Sequence, residues 1–310
     1  MKNEKFFQRD CFINEIYKSA KKNKNIFFLS ADFGAPALDI FRQKLPNQFI
    51  HTGISEQNMI DIAIGLSLKK KIVINYAMAP FVIARAWEQH KISSLMNLPM
   101  INLIPGIGYG YANAGPTHYS NEDLGLANLI VNSNIFTTSD GLLSTNLAKH
   151  LLKQKKISFV RLDRDQCENI NYKTTYTDIK NGYRVIYKGG KLCIISHGNI
   201  LNKLYKLISK NNYFKENITL IDLFRCKPIS DQLITILKQH FHTLVFDEQY
   251  ENFNLSTMLL KFVNNHSLNN NIVPSALKEY IDFGNDGREN ILDRNNLSTL
   301  KIIDKINKYL

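Results

Sequence analysis

Short apolar runs alternate along the first half of the chain with longer amphipathic segments. The apolar runs predict buried strands at Ile26–Leu29, Ile72–Ile74, Met100–Ile104, Ile135–Thr137 and Ile157–Arg161. The amphipathic segments predict helices at Phe12–Lys22, Gln57–Lys69, Phe81–Met96 and Leu142–Lys153. Strands that lack polar alternation are typical of a parallel sheet that is covered by helices on both faces.

A polar segment, roughly residues 165–181, interrupts this rhythm, and the alternation then starts again. The second series predicts strands at Leu192–Ser196, Ile218–Asp222 and Leu244–Phe246, and helices at Ile200–Lys210 and Asp231–His240. We therefore predict an α/β protein of two domains, each a mostly parallel sheet flanked by helices. The expected boundaries are 1–165 for the first domain, 166–182 for a linker and 183–310 for the second domain. A chain of 310 residues agrees with the usual size of about 150 residues per domain.

Composition excludes several classes of protein. Hydrophobic residues make up 44% of the chain, which is too many for a largely disordered protein. No apolar run approaches the roughly 20 residues that cross a bilayer, and the first residues carry no secretory signal, so we expect a soluble, cytoplasmic protein. The four cysteines form no C-x-x-C pair and are expected to be reduced, structural thiols.

The net charge of +12 raises the question of an acidic partner. The lysines are spread along the chain in short groups that fall where helices should end, and a cation is favourable there for local reasons. Nucleic acid binding would require a basic stripe or a recognisable module, and the sequence contains neither. The charge is weak support for phosphorylated ligands, and no nucleic acid or membrane partner is predicted.

Residues 51–59 are the first candidate for chemistry. This segment follows the strand-like Gln48–Ile50 and opens a helix, and ligands collect where a parallel strand passes into a helix. The structural alternative is that Ser55 caps the helix while Glu56 complements its dipole.

Two further segments are ambiguous when each is taken by itself. Residues 105–123 form a long glycine-rich segment that contains His118 but does not meet the G-x-G-x-x-G spacing of a dinucleotide loop. His118 is either a proton carrier, because imidazole titrates near neutrality, or an ordinary surface histidine. Residues 81–89 contain Phe81, Arg85 and Trp87, a set that is more typical of core packing.

In this order and spacing, the three segments resemble the pyrimidine-binding half of the transketolase family of thiamine diphosphate enzymes. The matching strings are Gly-Ile-Ser-Glu-Gln-Asn-Met at 53–59, Arg-Ala-Trp-Glu-Gln at 85–89 and Gly-Pro-Thr-His at 115–118, followed by Glu122 and Asp123. Phe-Arg-Cys-Lys-Pro at 224–228 and Asp-Glu-Gln at 247–249 are similar to the family's third domain. The resemblance covers nearly the whole chain and implies a thiamine-diphosphate-binding fold followed by the transketolase C-terminal-domain fold.

The chain also lacks a part that the family uses. Family members hold the diphosphate and Mg²⁺ through a Gly-Asp-Gly motif with a downstream Asn in an N-terminal domain, and no Gly-Asp-Gly string occurs here. The resemblance therefore implies the C-terminal subunit of a split transketolase, completed by an N-terminal subunit that carries this motif. An α2β2 assembly with a contact between two copies of this chain is expected, and no metal ligand is assigned to this chain.

The resemblance implies a role for each of several residues. Glu56 would be catalytic and would bind N1′ of the cofactor's aminopyrimidine, with Phe81, or alternatively Tyr76, stacked on that ring. His118 would be both catalytic and substrate-binding, beside the first carbons of the donor. Arg161 or Arg164 would bind a substrate phosphate, because a guanidinium fork suits that group.

Departures from the family pattern leave the substrate open. Ala114 stands where the family commonly has an Asp that contacts a donor hydroxyl, and Gly106 and Ile107 stand where some members carry a phosphate-binding His or Arg. We therefore expect a donor or acceptor other than the usual pentose and hexose phosphates, such as a pyruvate-like, deoxy or nucleotide-linked substrate. Two other functions remain: the β subunit of a 2-oxo acid dehydrogenase E1, and a non-catalytic family member.

Overall fold

The computed structural model describes residues 4–31, 34–284 and 286–310. Its strands are β1 (Lys5–Phe6), β2 (Ile26–Ser30), β3 (Phe49–His51), β4 (Ile72–Tyr76), β5 (Ile101–Pro105), β6 (Asn134–Thr137), β7 (Ser158–Leu162), β8 (Cys167–Glu168), β9 (Arg184–Tyr187), β10 (Leu192–Ser196), β11 (Ile218–Asp222), β12 (Arg225–Lys227), β13 (His242–Tyr250) and β14 (Asn271–Leu277). Its helices are α1 (Gln8–Ala20), α2 (Asp39–Lys44), α3 (Glu56–Leu68), α4 (Ala79–Arg85), α5 (Trp87–Leu95), α6 (Asp123–Asn128), α7 (Gly141–Leu151), α8 (Tyr176–Asn181), α9 (Gly198–Ser209), α10 (Asn212–Asn217), α11 (Ile234–Leu237), α12 (Leu255–Asn265), α13 (Arg288–Arg294) and α14 (Thr299–Tyr309).

Two larger sheets organise the protein. The first has seven strands in the order β12-β6-β7-β5-β4-β2-β3, and its pairs are parallel except that β12 runs antiparallel to β6. The second has five strands in the order β14-β13-β10-β11-β9, with β9 antiparallel to β11. A small antiparallel pair joins β1 to β8. The predicted α/β fold, with two mostly parallel sheets flanked by helices, is confirmed.

The segment between the two sheets contains regular structure. Helix α8 begins with a capping box in which Thr175 and Asp178 each accept from the other's backbone, and it ends at Gly182, whose φ of +81° favours glycine. Strand β12 comes from the second half of the chain but pairs with β6 of the first sheet. The domain boundaries at 165 and 183 stay a prediction. Because β12 follows both boundaries in the chain yet belongs to the first sheet, no single point in the sequence divides the two sheets.

The predicted helix at Phe81–Met96 is wrong in one respect, because it is two helices. The backbone leaves helical geometry at Ala86, with φ −105° and ψ 23°, so that α4 ends at Arg85 and α5 begins at Trp87. The residues on the two sides of this break each contact a partner that is distant in the sequence. Arg85 reaches the carboxylate of Glu56, and the indole Nε1 of Trp87 donates to the carbonyl of Leu126 at 3.1 Å.

The apolar core is continuous between the two sheets. One cluster of buried side chains joins residues of the first sheet and its helices, such as Met59, Ile104 and Ile135, to residues of the second, such as Ile195 and Val245. Since burial of apolar area stabilises in proportion to that area, this shared cluster resists separation of the sheets. In the described part of the chain no helix is both long and apolar enough to cross a bilayer. The four cysteines are free thiols.

Buried polar groups cross the same boundary. His197 lies between the Sγ of Cys226, 3.1 Å from Nδ1, and the Oδ1 of Asp247, 3.0 Å from Nε2. Burial opposes a charged imidazolium here, but Cys226 and Asp247 outweigh it and raise the pKa of His197 to about 10. Cys226 lies on β12 of the first sheet, so its bond to His197 joins the two sheets, and its Sγ also lies 3.6 Å from the hydroxyl of Thr137 on the neighbouring β6.

Raising the pH should therefore remove stability that His197 supplies. A group whose folded pKa is raised contributes fully below its ordinary value of 6.5 and loses its contribution as the pH rises through about 10. We expect the difference in unfolding free energy between the wild type and His197→Gln to shrink between pH 7 and pH 10, as measured by urea denaturation.

His90→Gln is the matched control for this measurement. Burial lowers the pKa of His90 to about 4, so this imidazole is neutral throughout that pH range. Its difference from the wild type should stay constant between pH 7 and pH 10. A constant difference for His197→Gln as well would contradict the prediction.

Candidate active site

The carboxyl ends of neighbouring parallel strands bring the predicted site residues to one edge of the first sheet. Strands β3, β2, β4 and β5 are consecutive and parallel, so the segments that follow them emerge on the same side. Glu56 comes after β3, Phe81 after β4, and the loop with His118 after β5.

Glu56 is the first residue of α3 and is nearly buried, with 6% of its surface exposed. Its carboxylate accepts from Nη1 of Arg85, at 3.2 Å and 3.1 Å for the two oxygens. Ser55 is the N-cap residue of α3, as the structural alternative has it, but its hydroxyl makes no capping bond and donates backward to the carbonyl of Thr52 at 2.8 Å.

Phe81 links this carboxylate to His118. The guanidinium of Arg85 lies over the Phe81 ring, 4.3 Å from its centroid, in a cation–π contact. The ring of His118 meets Phe81 edge-on, with centroids 5.4 Å apart and planes at 78°. Three of the predicted residues, Glu56, Phe81 and His118, therefore form one continuous group, and Arg85 is the link between the first two.

Tyr76 is placed differently from its alternative, Phe81. It is fully buried in an apolar cluster, where its ring centroid lies 6.2 Å from that of Phe28. Burial raises the pKa of its hydroxyl, which Arg9 partly opposes. Because no face of this ring is accessible, the structure favours Phe81 for stacking on a ligand.

His118 lies near the end of a closed loop. Gly108 and Ser120 pair through both backbone bonds, at 2.8 Å and 3.0 Å, and the segment between them carries His118 two residues before the pair closes. Its Nδ1 is 2.9 Å from the hydroxyl of Thr117. The ring is half-buried, so it remains accessible to a ligand.

Arg161 requires a correction. It is 1% exposed, and its Nε and Nη2 donate to the carboxylate of Asp123 at 2.6 Å and 3.1 Å while Nη1 donates to the hydroxyl of Thr137 at 2.8 Å. Burial alone would lower the pKa of this guanidinium, but Asp123 outweighs burial and raises it. The side chain is committed to a buried ion pair, so the structure does not support Arg161 as a ligand for a substrate phosphate.

Arg164, three residues later, is exposed and remains available. Its guanidinium lies over the ring of Tyr111, 4.8 Å from the centroid. Tyr111 also explains the glycine at 106, because a Cβ there would lie 2.1 Å from Tyr111 Cε2, and the φ of this residue is +90°. Sequence reasoning missed Tyr111, since only the fold brings its ring onto Gly106.

A cofactor with a metal-bound diphosphate would find only part of its site here. Among the described residues no group of three or more His, Cys, Asp or Glu side chains could hold a metal ion. The sequence has no Gly-Asp-Gly string. By contrast, Glu56 and Phe81 already hold a flat, N–H-donating group between them, the guanidinium of Arg85. This fits the pyrimidine end of thiamine diphosphate, and it does not fit the metal end.

The two arginines of this segment should respond very differently to substitution. Arg161→Met should lower the free energy of unfolding by about 3–5 kcal/mol, because Asp123 would be left buried without its partner. Arg164→Met should cost less than about 1 kcal/mol, because it removes only the contacts of an exposed side chain with Tyr111, a cation–π contact and a hydrogen bond. Urea denaturation of both variants tests this, and equal losses would contradict the assignment of Arg161 to the core.

Comparison with known proteins identifies the family to which both halves of the chain belong. The family model for the transketolase pyrimidine binding domain matches residues 7–169, and that for the transketolase C-terminal domain matches residues 182–292. The chain therefore belongs to the transketolase family, as the sequence motifs predicted.

Relatives of similar extent include separate subunits. The chain is 24% identical over 259 residues to a subunit of the apulose-4-phosphate transketolase of Phocaeicola vulgatus, covering 82% of each chain. It is 27% identical to a putative transketolase C-terminal section of Methanocaldococcus jannaschii, covering 71% of this chain and 70% of that one. Over 97% of its length it is 27% identical to the 1-deoxy-D-xylulose-5-phosphate synthase of Fusobacterium nucleatum, but it spans only 50% of that protein.

Solved structures show the same fold. A split gene transketolase, described as an inactive beta4 tetramer, superposes with a TM-score of 0.86 at 20% identity and covers 98% of both chains. The transketolase of Campylobacter jejuni gives a TM-score of 0.78 at 16% identity, covering 99% of this chain and 47% of that one. At these identities the likeness concerns the fold alone.

Proposed function

We propose that this member of the transketolase family is the C-terminal subunit of a split, thiamine diphosphate-dependent transferase. The enzyme would transfer a two-carbon ketol unit, or an acyl unit, between sugar or sugar-phosphate substrates. One observation carries the proposal: Glu56, Phe81 and His118 meet at the edge of a sheet in a chain without a diphosphate motif.

The proposed partner is an N-terminal subunit that carries the Gly-Asp-Gly motif with its downstream Asn and holds Mg²⁺ and the diphosphate. The lack of a metal-ligand group among the described residues supports this division. So does the similar extent of relatives that are named as a transketolase subunit or as a C-terminal section. We propose an α2β2 assembly with a contact between two copies of this chain.

In this proposal Glu56 holds a proton at a ring nitrogen of the cofactor's pyrimidine. A nearly buried carboxyl can share a proton with a ring nitrogen that lies against it. Arg85 can leave this position, because its side chain is 49% exposed. Phe81 then offers its ring face to the pyrimidine. The bound cofactor would supply the electron sink, and the chain's residues supply position and protons.

His118 and Arg164 are proposed to act on the substrate. The half-buried imidazole beside Phe81 can donate to, or accept a proton from, a substrate oxygen. Arg164 is exposed and presents a guanidinium suited to a phosphate. Ala114 cannot hydrogen-bond a donor hydroxyl, and Tyr111 fills the space beside Gly106, which supports a donor or acceptor different from the usual sugar phosphates.

Replacing the Glu56 carboxylate tests the proposal. In the complex with its partner subunit, Glu56→Gln should reduce turnover by about 10²–10⁴-fold, because the amide cannot take up a proton. Glu88→Gln is the control, since Glu88 is an exposed carboxylate on the adjoining helix α5. Full turnover by Glu56→Gln would refute the catalytic role and favour a non-catalytic family member.

Calorimetric titration of thiamine diphosphate with Mg²⁺ tests the split site. The chain by itself should bind weakly, the mixture with its partner should bind tightly, and Glu56→Ala should weaken binding by the mixture. Equally tight binding by the isolated chain would contradict the division of the site between two subunits.

A further inference from the structure

We infer that Glu248 and Gln249, at the end of β13 in the second sheet, are positioning residues that hold the His118 loop (residues 106–123) in place. The consequence for catalysis rests on the proposed function, whereas the hydrogen bonds that hold the loop do not. The second domain would thus support the proposed active site from outside it. No described contact joins a side chain of the second domain to the Glu56–Phe81–His118 group.

Gln249 joins the two sides of the loop's end. Its Nε2 donates to the carbonyl of Ser120 at 2.8 Å, and its Oε1 accepts from the backbone N–H of Leu124 at 3.2 Å. Ser120 is two residues after His118, and Leu124 lies in the first turn of α6. The amide is buried, so its bonds are not exchanged readily for water. One side chain therefore fixes the distance between the loop and the helix that follows it.

Glu248 supports the other side of the loop. Its carboxylate accepts from the backbone N–H of Tyr109 at 3.2 Å, and its backbone carbonyl accepts from the Nδ2 of Asn121 at 3.3 Å. Gly108 packs directly on this side chain, because a Cβ at 108 would lie 2.4 Å from the Oε2 of Glu248. The φ of Gly108 is +59°, which also favours glycine. Both ends of the closed loop thus rest on consecutive residues of the second domain.

Neighbouring charged groups hold the side chain of Glu248 in place. Arg288 donates to its carboxylate at 2.8 Å and to that of Asp163 at 2.7 Å, so one guanidinium connects the two domains. Burial raises the pKa of Glu248, which Arg288 partly opposes. The preceding residue, Asp247, is held by His197 and accepts from the backbone N–H of Leu255 at 2.9 Å. The end of β13 is therefore a rigid support for the loop.

The position of His118 depends on its backbone more than on its side chain. The ring of His118 contacts Phe81 edge-on, and its Nδ1 lies close to the hydroxyl of the adjacent Thr117. Both contacts can persist when the ring shifts. A shift of a catalytic group by about 1 Å can reduce a rate by about 100-fold. Loss of the bonds from Gln249 should therefore affect turnover more than it affects cofactor binding, which depends on Glu56 and Phe81.

The test uses the complex with the partner subunit and the variant Gln249→Met, which keeps the volume but removes the bonds to Ser120 and Leu124, together with a third bond to the carbonyl of Glu248. We expect kcat to fall about 10–100-fold while the Kd for thiamine diphosphate stays within about twofold. Hydrogen exchange should become faster in residues 106–124. Asn270→Leu is the control, because Asn270 likewise donates to backbone carbonyls in the second domain, those of Leu237 and His240, and does not contact the loop in any described bond.

A second variant approaches the same contact from the loop. Gly108→Ala should push against Glu248 and lower kcat in the same way, even if Gln249→Met does not fold. Unchanged exchange in residues 106–124 would show that Glu248 and Gln249 do not hold the loop. Faster exchange with unchanged kcat in a folded variant would overturn their positioning role in catalysis, as would an equal fall in kcat for Asn270→Leu. If the wild-type complex shows no turnover, the proposed function fails. The exchange comparison then still decides whether Glu248 and Gln249 hold the loop.

Discussion

The buried contact between the two sheets is the constraint on which the rest of the structure depends. A chain of polar side chains crosses it, from Asp123 through Arg161 and Thr137 to Cys226 and His197. These groups are buried, so each would be costly without its partner. The bond between Cys226 and His197 and the apolar cluster around it form only when the two sheets meet in one orientation, so they specify that orientation.

This orientation makes the active-site edge a shared structure. The first sheet supplies the residues proposed to touch the cofactor and substrate, and the second sheet supports the loop that carries His118. Glu56 and Phe81 are the proposed place for a pyrimidine ring, and the described residues include no ligand group for a metal. In the proposed function each of two subunits would hold one end of the same cofactor.

The sequence predicted the elements whose signal is local. Strands β10 and β11 agree with their predicted ranges, because continuous apolar runs between helices have few alternatives. Strand β14 was not predicted. It lies at the edge of its sheet, contains Pro274 and is partly exposed, so it lacks such a run. The break at Ala86 was also missed, since it depends on partners for Arg85 and Trp87 that are distant in the sequence.

By itself, the sequence determined the α/β class, the family and the residues that carry its motifs, because motif strings and hydrophobic periodicity are properties of neighbouring residues. Tertiary structure alone decided which of those residues are available. Arg161 and Arg164 are both arginines on one segment, yet one is buried against Asp123 and the other lies open over Tyr111. Whether a side chain is buried or paired depends on contacts between segments that are far apart in the chain. The local sequence pattern does not reveal such contacts.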